Sequence, residues 1–286
     1  MMQSKPARIQ HHRRMLAAYG FGLFALPPYR ECSRGSWRLI RHLPSLADGY
    51  VSPTVMEADR HVLYQGRTPW MSTGLMERES HAYHVHAARG AVVVAGLGLA
   101  MYAYAVAAKA NVERVIVIEI SEDVIELMRR AARWDYWPSS RKMLILQADA
   151  RAPSTAAAVA DALDGRRPDY LFADIWRRCD DLRAPAEMAA MVGMLNPALA
   201  GWWGQELAVA RLARTRSPGA AGADAVTPAA LDACFRELGV PVPVTPGYAA
   251  FCRDVMAMNE AGAPVGIGSP GLRRLWRGLT GRASER

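Results

Sequence analysis

Cysteine is scarce and scattered in this 286-residue chain. Cys32, Cys179, Cys234 and Cys252 stand far apart with no CxxC pair, which argues against a disulfide frame or a zinc site and for reduced thiols in a cytoplasm. Cys179 follows the fourth core strand closely enough to approach a site, but a small semi-buried filler is the plainer role. Long hydrophobic runs are also missing. None reaches the ~20 residues of a membrane span, and the longest candidate, residues 91–110, is broken by Gly96 and Gly98. The basic N-terminus leads into no apolar segment with a cleavage-like site, so neither a secretory signal nor a membrane partner is expected, and the location expected is cytoplasmic. Lysine is rare: arginine carries almost all of the positive charge behind the net +8. The excess crowds an N-terminal arm (Lys5, Arg8, Arg13, Arg14) and a tail (Arg273, Arg274, Arg277, Arg282, Arg286). Without interleaved aromatic residues these termini read as solvated, and a nucleic-acid partner is not expected. His81, His84 and His86 make no metal set. A helix puts 81 and 84 on one face and a strand puts 84 and 86 on one face, but neither gathers all three.

What is present is an ordinary globular composition, 51% hydrophobic and 22% charged, in a chain long enough to bury a full α/β core. Residues 90–129 carry the most information. An apolar run (91–95) leads into Gly96-Leu97-Gly98, a small-residue helical stretch follows, and a second apolar run (115–118) ends on Glu119. Strand, glycine turn, helix, strand, acid is the layout of a nucleotide-binding βαβ unit. The glycines would let backbone amides approach a ligand, and Glu119 suits a ribose diol. A dinucleotide fingerprint needs a third glycine for close helix–strand packing; Met101 stands there. The Gly96-to-Glu119 spacing fits a dinucleotide and S-adenosylmethionine (SAM) equally, so the motif alone leaves both open. Two further apolar runs, 142–147 and 169–173, end at Asp149 and Asp174. Three acids at successive strand ends ring one crevice, where ligands of open α/β sheets bind. An acid after the third strand can accept from an adenine amino group, and one after the fourth can face the reacting end. The fold expected is a Rossmann-like, doubly wound, mostly parallel sheet over residues 90–212.

VERVIVIEISEDVIELMR (112–129), together with Leu63-Tyr64-Gln65-Gly66, Trp70-Met71-Ser72-Thr73, Glu77, Tyr83-His84 and the Asp174-Ile175-Trp176 end of strand four, resembles a known family. Across residues 50–176 the chain is similar to class I SAM-dependent methyltransferases. It is most similar to the spermidine-synthase-like branch and to uncharacterised methyltransferase-like proteins of phages and bacteria. The resemblance implies SAM as cofactor, with Gly96 and Gly98 at its methionine part, Glu119 on the ribose, Asp149 on the adenine and Asp174 beside the transferred group. Leu97, Ile120 and Ala150 complete the cofactor-binding set. Trp70, Tyr83 and Trp176 suit a substrate pocket. Asp174 is the leading catalytic candidate, with His84 and Glu77 secondary. Leu99 and Val85 stand where polyamine synthases carry acids, and Asp174 lacks the second acid of their Asp-x-x-Asp loop, which speaks against a polycationic acceptor. The expected activity is methyl transfer to a small molecule by in-line attack. Attack on SAM's γ-carbon, by aminopropyl transfer or by cyclisation, is the alternative. A non-catalytic SAM-fold protein is the third reading. A homodimer is left open.

Residues 1–88 are expected to form a basic arm (with a helix over 12–19, acting as lid or oligomer arm) and then a hairpin and helical cap closing over the cofactor's reacting end. Residues 89–286 are expected to form the SAM-binding domain with a divergent C-terminal part. Helices are predicted over 99–110, 121–134, from Pro153 to Gly165, and over 183–195, 227–239 and 247–261. Residues 241–246 are predicted extended and 217–225 a flexible loop, while 201–212 reads equally as strand or helix. The last two strands of a methyltransferase sheet have no visible counterpart.

Overall fold

The computed structural model describes residues 17–216 and 225–260. The expected helix over 12–19 lies mostly outside them, as do most of the 217–225 loop and the basic arm and tail. The antiparallel part begins earlier than the sequence pattern indicated. Strands β1 (Cys32–Arg34), β2 (Trp37–His42), β5 (Arg60–Gln65) and β6 (Thr68–Ser72) form one sheet in the order β1-β2-β5-β6, and β3 (Ser45–Ala47) pairs with β4 (Val55–Glu57) as a separate ribbon. Alternation on β2 buries Trp37 and Leu39, and the register sets Trp37 opposite Gln65 and Leu39 opposite Leu63. Helix α1 (Leu75–Ala87) follows. Its first turn is capped when Glu57 accepts from the Leu75 N–H. At its C-terminal end, Lys109 Nζ donates to the carbonyls of Val85 (2.6 Å), His86 (2.8 Å) and Ala88 (2.6 Å), where a cation also meets the negative end of the helix dipole.

Next comes β7 (Gly90–Ala95), then α2 (Met101–Ala107), β8 (Val112–Glu119), α3 (Glu122–Ala132), β9 (Met143–Gln147), α4 (Pro153–Ala162), β10 (Tyr170–Ala173), α5 (Ala184–Leu195) and β11 (Leu199–Trp202). The five strands pair in parallel in the order β11-β10-β7-β8-β9. This is the expected Rossmann-like α/β fold. The continuous apolar runs of β7, β8 and β10 are buried on both faces, as parallel strands covered by helices must be. Ser121 caps α3, its hydroxyl accepting from Val124 N–H at 3.3 Å, a contact worth ~1 kcal/mol. The ambiguous stretch 201–212 is both things in turn: β11 ends at Trp202 and α6 (Gln205–Arg216) starts three residues later. Two more helices, α7 (Pro228–Leu238) and α8 (Pro246–Glu260), complete the described chain. Among the described residues no strand follows β11. Instead Ala200 N–H donates to the Pro241 carbonyl at 2.9 Å, so the extended segment before α8 covers the sheet edge.

The antiparallel sheet docks along α3. Arg30 N–H donates to Ala131 O at 3.0 Å, Cys32 Sγ lies 3.5 Å from Leu127 O, and Arg34 pairs with Asp123 at 3.1 Å. One apolar cluster runs from Trp37 and Leu39 through the parallel sheet to Phe251 on α8. No described helix is long and apolar enough to cross a membrane.

Candidate active site

A cavity of about 350 Å³ opens at the carboxyl ends of β7, β8, β9 and β10, the edge where open α/β sheets take ligands. Gly96, Gly98, Glu119, Asp149 and Asp174 line it, which places all three strand-end acids in one space. Ile120 and Ala150 also line it, whereas Leu97, expected in the cofactor-binding set, does not, its N–H being engaged by Glu119. The opposite wall comes from the antiparallel sheet: Trp37, Leu63, Gln65, Trp70 and Met71. The cap therefore includes β2, which precedes residue 50, where the sequence pattern places the start of the hairpin.

The glycine turn works differently from the expected amide cradle. Gly96 has φ +97°, and a Cβ there would lie 2.3 Å from the Asp174 carbonyl oxygen; at Gly98 (φ +47°) it would lie 2.6 Å from Met71 Sδ. The room left by the missing side chains is filled by the protein, bringing the ends of β7 and β10 and the cap together. The turn's amides are engaged as well. Leu97 N–H donates to Glu119 Oε2 at 3.0 Å and Leu99 N–H to Met71 Sδ at 3.3 Å. Glu119 also receives Ser121 N–H at 2.9 Å. Burial raises its carboxyl above the ordinary range, against the pull of these amides. Asp149 at the rim is held below that range by Arg151, whose Nε lies 3.0 Å from Oδ1.

Asp174 meets His81 and not the secondary catalytic candidate His84. His81 Nε2 lies 3.1 Å from Asp174 Oδ2, with both side chains almost wholly buried. Glu77 lies four residues before His81 on α1, lines the cavity and accepts from Ser72 N–H at 2.9 Å through Oε1. Its Oε2 is buried without a hydrogen-bond partner. Burial first, and the charge of Asp174 second, push its carboxyl well above the ordinary range. Trp176 and Trp203 line this end, Trp176 fixed by donation from Nε1 to Glu187 Oε2 at 2.9 Å. Arg177 lies over the Trp70 ring at 5.7 Å and Arg178 pairs with Asp180 at 2.8 Å, so both arginines next to Asp174 are turned to other partners.

His84 and Tyr83 are not cavity residues, which corrects two expectations. His84 is fully buried, with Nδ1 3.0 Å from Tyr170 Oη, and burial holds its proton affinity well below that of an ordinary histidine. Tyr83 stacks on Tyr248 at 3.9 Å and donates to the Pro243 carbonyl. Helix phase turns these two toward α6 and α8, while Glu77 lines the cavity and His81 stands behind Asp174, outside the lining. Cys179 is buried and lines nothing there. No group of three metal-ligating side chains occurs among the described residues. The residues sequence reasoning missed are His81, considered only as a metal ligand, and Trp37 and Trp203, which lie outside the motif-bearing segments.

Among the described residues the lining holds four carboxyl groups (Glu77, Glu119, Asp149, Asp174) and one arginine, Arg151. Such a lining disfavours a pyrophosphate, and the engaged turn amides offer no free anion cradle.

No protein-family model matches the chain, and no curated protein matches it. Among solved structures, a spermidine synthase in complex with the transition state analogue AdoDATO is similar, at 16% identity and a TM-score of 0.33, over 61% of this chain and 55% of that one. Spermidine synthase from Thermotoga maritima matches with the same identity and TM-score, over 61% of this chain and 56% of its own. The chain thus spans little more than half the length of these structures.

Proposed function

We propose that the protein is a SAM-dependent transferase, a methyltransferase acting on a small molecule. The observation that carries the reading is the acid-lined cavity at the carboxyl edge of the sheet, where four carboxyl groups face one arginine. SAM brings a nucleoside for the strand-end acids and a sulfonium for an acidic, aromatic-walled end. A dinucleotide brings two phosphates that this lining repels. In this reading Glu119 holds the ribose hydroxyls and Asp149 the adenine amino group. Asp174 lies beside the transferred carbon and orients the acceptor. SAM supplies an activated methyl group, so the protein's part is alignment and exclusion of water. Trp70, Trp176, Trp203 and Met71 provide the apolar walls for both.

The test is product identity. Purified protein incubated with SAM and a panel of small nucleophiles should release adenosylhomocysteine, read by mass spectrometry. Methylthioadenosine would move the reaction to the γ-carbon, and selective binding of NAD over SAM would overturn the cofactor assignment.

A further inference from the structure

The hydrogen bonds around His81 fix its tautomer. Nδ1 lies 2.6 Å from the Glu77 carbonyl oxygen, an atom that only accepts, so Nδ1 carries a hydrogen. Ser80 Oγ donates to the same carbonyl at 2.9 Å while accepting from Trp203 Nε1 at 2.9 Å; its hydroxyl proton is therefore not directed at the ring. Nε2 then faces Asp174 Oδ2 at 3.1 Å. One hydrogen therefore lies between the two, and one Asp174 oxygen is committed to His81.

Glu77 has no such arrangement. Oε2 is buried, unpartnered and part of the cavity wall. The groups around it are Asp174 at the end of β10, Glu57 on β4, His81 on its own helix and Cys179 after β10. The nearby cations face Glu57, Arg60 at 3.0 Å and Arg78 through space, and His81 faces Asp174. Burial beside a charged carboxylate makes a second charge there unfavourable.

We propose that Glu77 carries a proton in the free protein and releases it when the sulfonium of SAM enters the cavity, with His81 as the positioning residue that holds the Asp174 carboxyl in place. The inference rests on the cofactor reading above. Entry of the cation replaces the proton, which leaves to solvent. The acceptor's heteroatom then attacks the methyl carbon, and the carbon–sulfur bond breaks with its electron pair going to sulfur. The acceptor's own proton passes to the Glu77 carboxylate. The site ends as it began, with one proton on Glu77, which makes Glu77 the catalytic base and Asp174 the orienting charge.

The experiment pairs SAM with adenosylhomocysteine, which shares every group except the methyl and the positive sulfur. Affinity of the full chain for SAM should rise roughly tenfold per pH unit below the release midpoint, while affinity for adenosylhomocysteine should change little with pH. Calorimetry in buffers of different ionisation enthalpy should show close to one proton released with SAM only. Glu77→Gln should abolish both signatures while still binding adenosylhomocysteine, which controls for folding. His81→Gln should move the midpoint by about one unit or more; an unmoved midpoint removes His81 from the scheme. Equal pH slopes for the two nucleosides, or a slope that survives Glu77→Gln, overturns the proposal. Carboxyl-carbon NMR of the free protein tests it without any ligand: a charged Glu77 at pH 7 overturns it. Failure of both nucleosides to bind overturns the cofactor assignment alone, and the carboxyl spectrum then decides the proton on Glu77.

Discussion

Two histidines one turn apart on α1 sit in opposite worlds. His81 meets a carboxylate of the cavity wall, Asp174, at 3.1 Å. His84 points into a sealed cluster where Tyr170 lies 3.0 Å from Nδ1 and Glu206 stands 3.7 Å from Nε2, beyond hydrogen-bond reach. Glu206 is fully buried and accepts from Tyr50 and Tyr248, each at 3.1 Å. Both clusters join a histidine to an acid and aromatic rings. Only the first borders a space where a ligand fits, so the first is suited to chemistry and the second to holding α1, α6 and α8 together. The same ingredients do different work according to what lies on their far side.

That contrast makes separable predictions. The largest effect expected is on turnover. Glu77→Gln, which removes the base, should lower turnover by about 10²–10⁴-fold, while adenosylhomocysteine affinity and melting temperature stay near those of the unaltered chain. A large fall in melting temperature would put Glu77 with the structural cluster instead.

The sealed cluster should report in stability. Burial pushes the Glu206 carboxyl up to about 7 from an ordinary 4.5, so the native state binds its proton more tightly than the unfolded state does. The resulting stability is complete below pH 4.5 and is lost as pH rises through about 7, a change of about 3 kcal/mol. His84 acts with the opposite sign: its lowered proton affinity contributes stability above its ordinary 6.5 that is lost as pH falls. Glu206→Gln removes only the first contribution. Urea denaturation at pH 5 and pH 8 should therefore show the unaltered chain losing about 3 kcal/mol relative to the variant, with no change in SAM affinity.

Glu119→Ala probes the cavity side again. Loss of a charge-assisted bond to the ribose should weaken SAM binding by about 1.5–3 kcal/mol, read by calorimetry; unchanged affinity in the folded variant would count against the cofactor assignment. The smallest effect is expected from Tyr83→Phe, which removes one hydrogen bond to Pro243 and should cost about 1 kcal/mol of stability without touching turnover.

The parallel core was legible because its signals are local. Each apolar run ends on the glycine turn or on an acid that the strand itself carries to the sheet edge, so β7 to β10 and their acids could be placed from neighbours alone. The cap was less legible. Trp37 enters the cavity only because β2 pairs with β5, a partnership set by register between segments more than twenty residues apart. Trp203 sits in the two-residue gap between β11 and α6, where strand and helix periods give conflicting answers. The exchange of His84 for His81 has a different cause. Spacing says that the two share a face, but which edge of that face meets Asp174 depends on how α1 is rotated against β10, and no local pattern encodes that rotation.

Lys109 bears on how this enzyme-like cleft would breathe. Its ammonium gathers the last carbonyls of α1 while Glu57 secures the first turn, so the helix is tethered like a beam pinned at both ends. Fraying or sliding either end would strand several polar groups at once. The wall bearing Glu77 is therefore the stationary jamb of the cleft. Admission of a ligand falls to the other side, where the β5–β6 hairpin meets the glycine turn through a thioether, the pliable side chain of Met71.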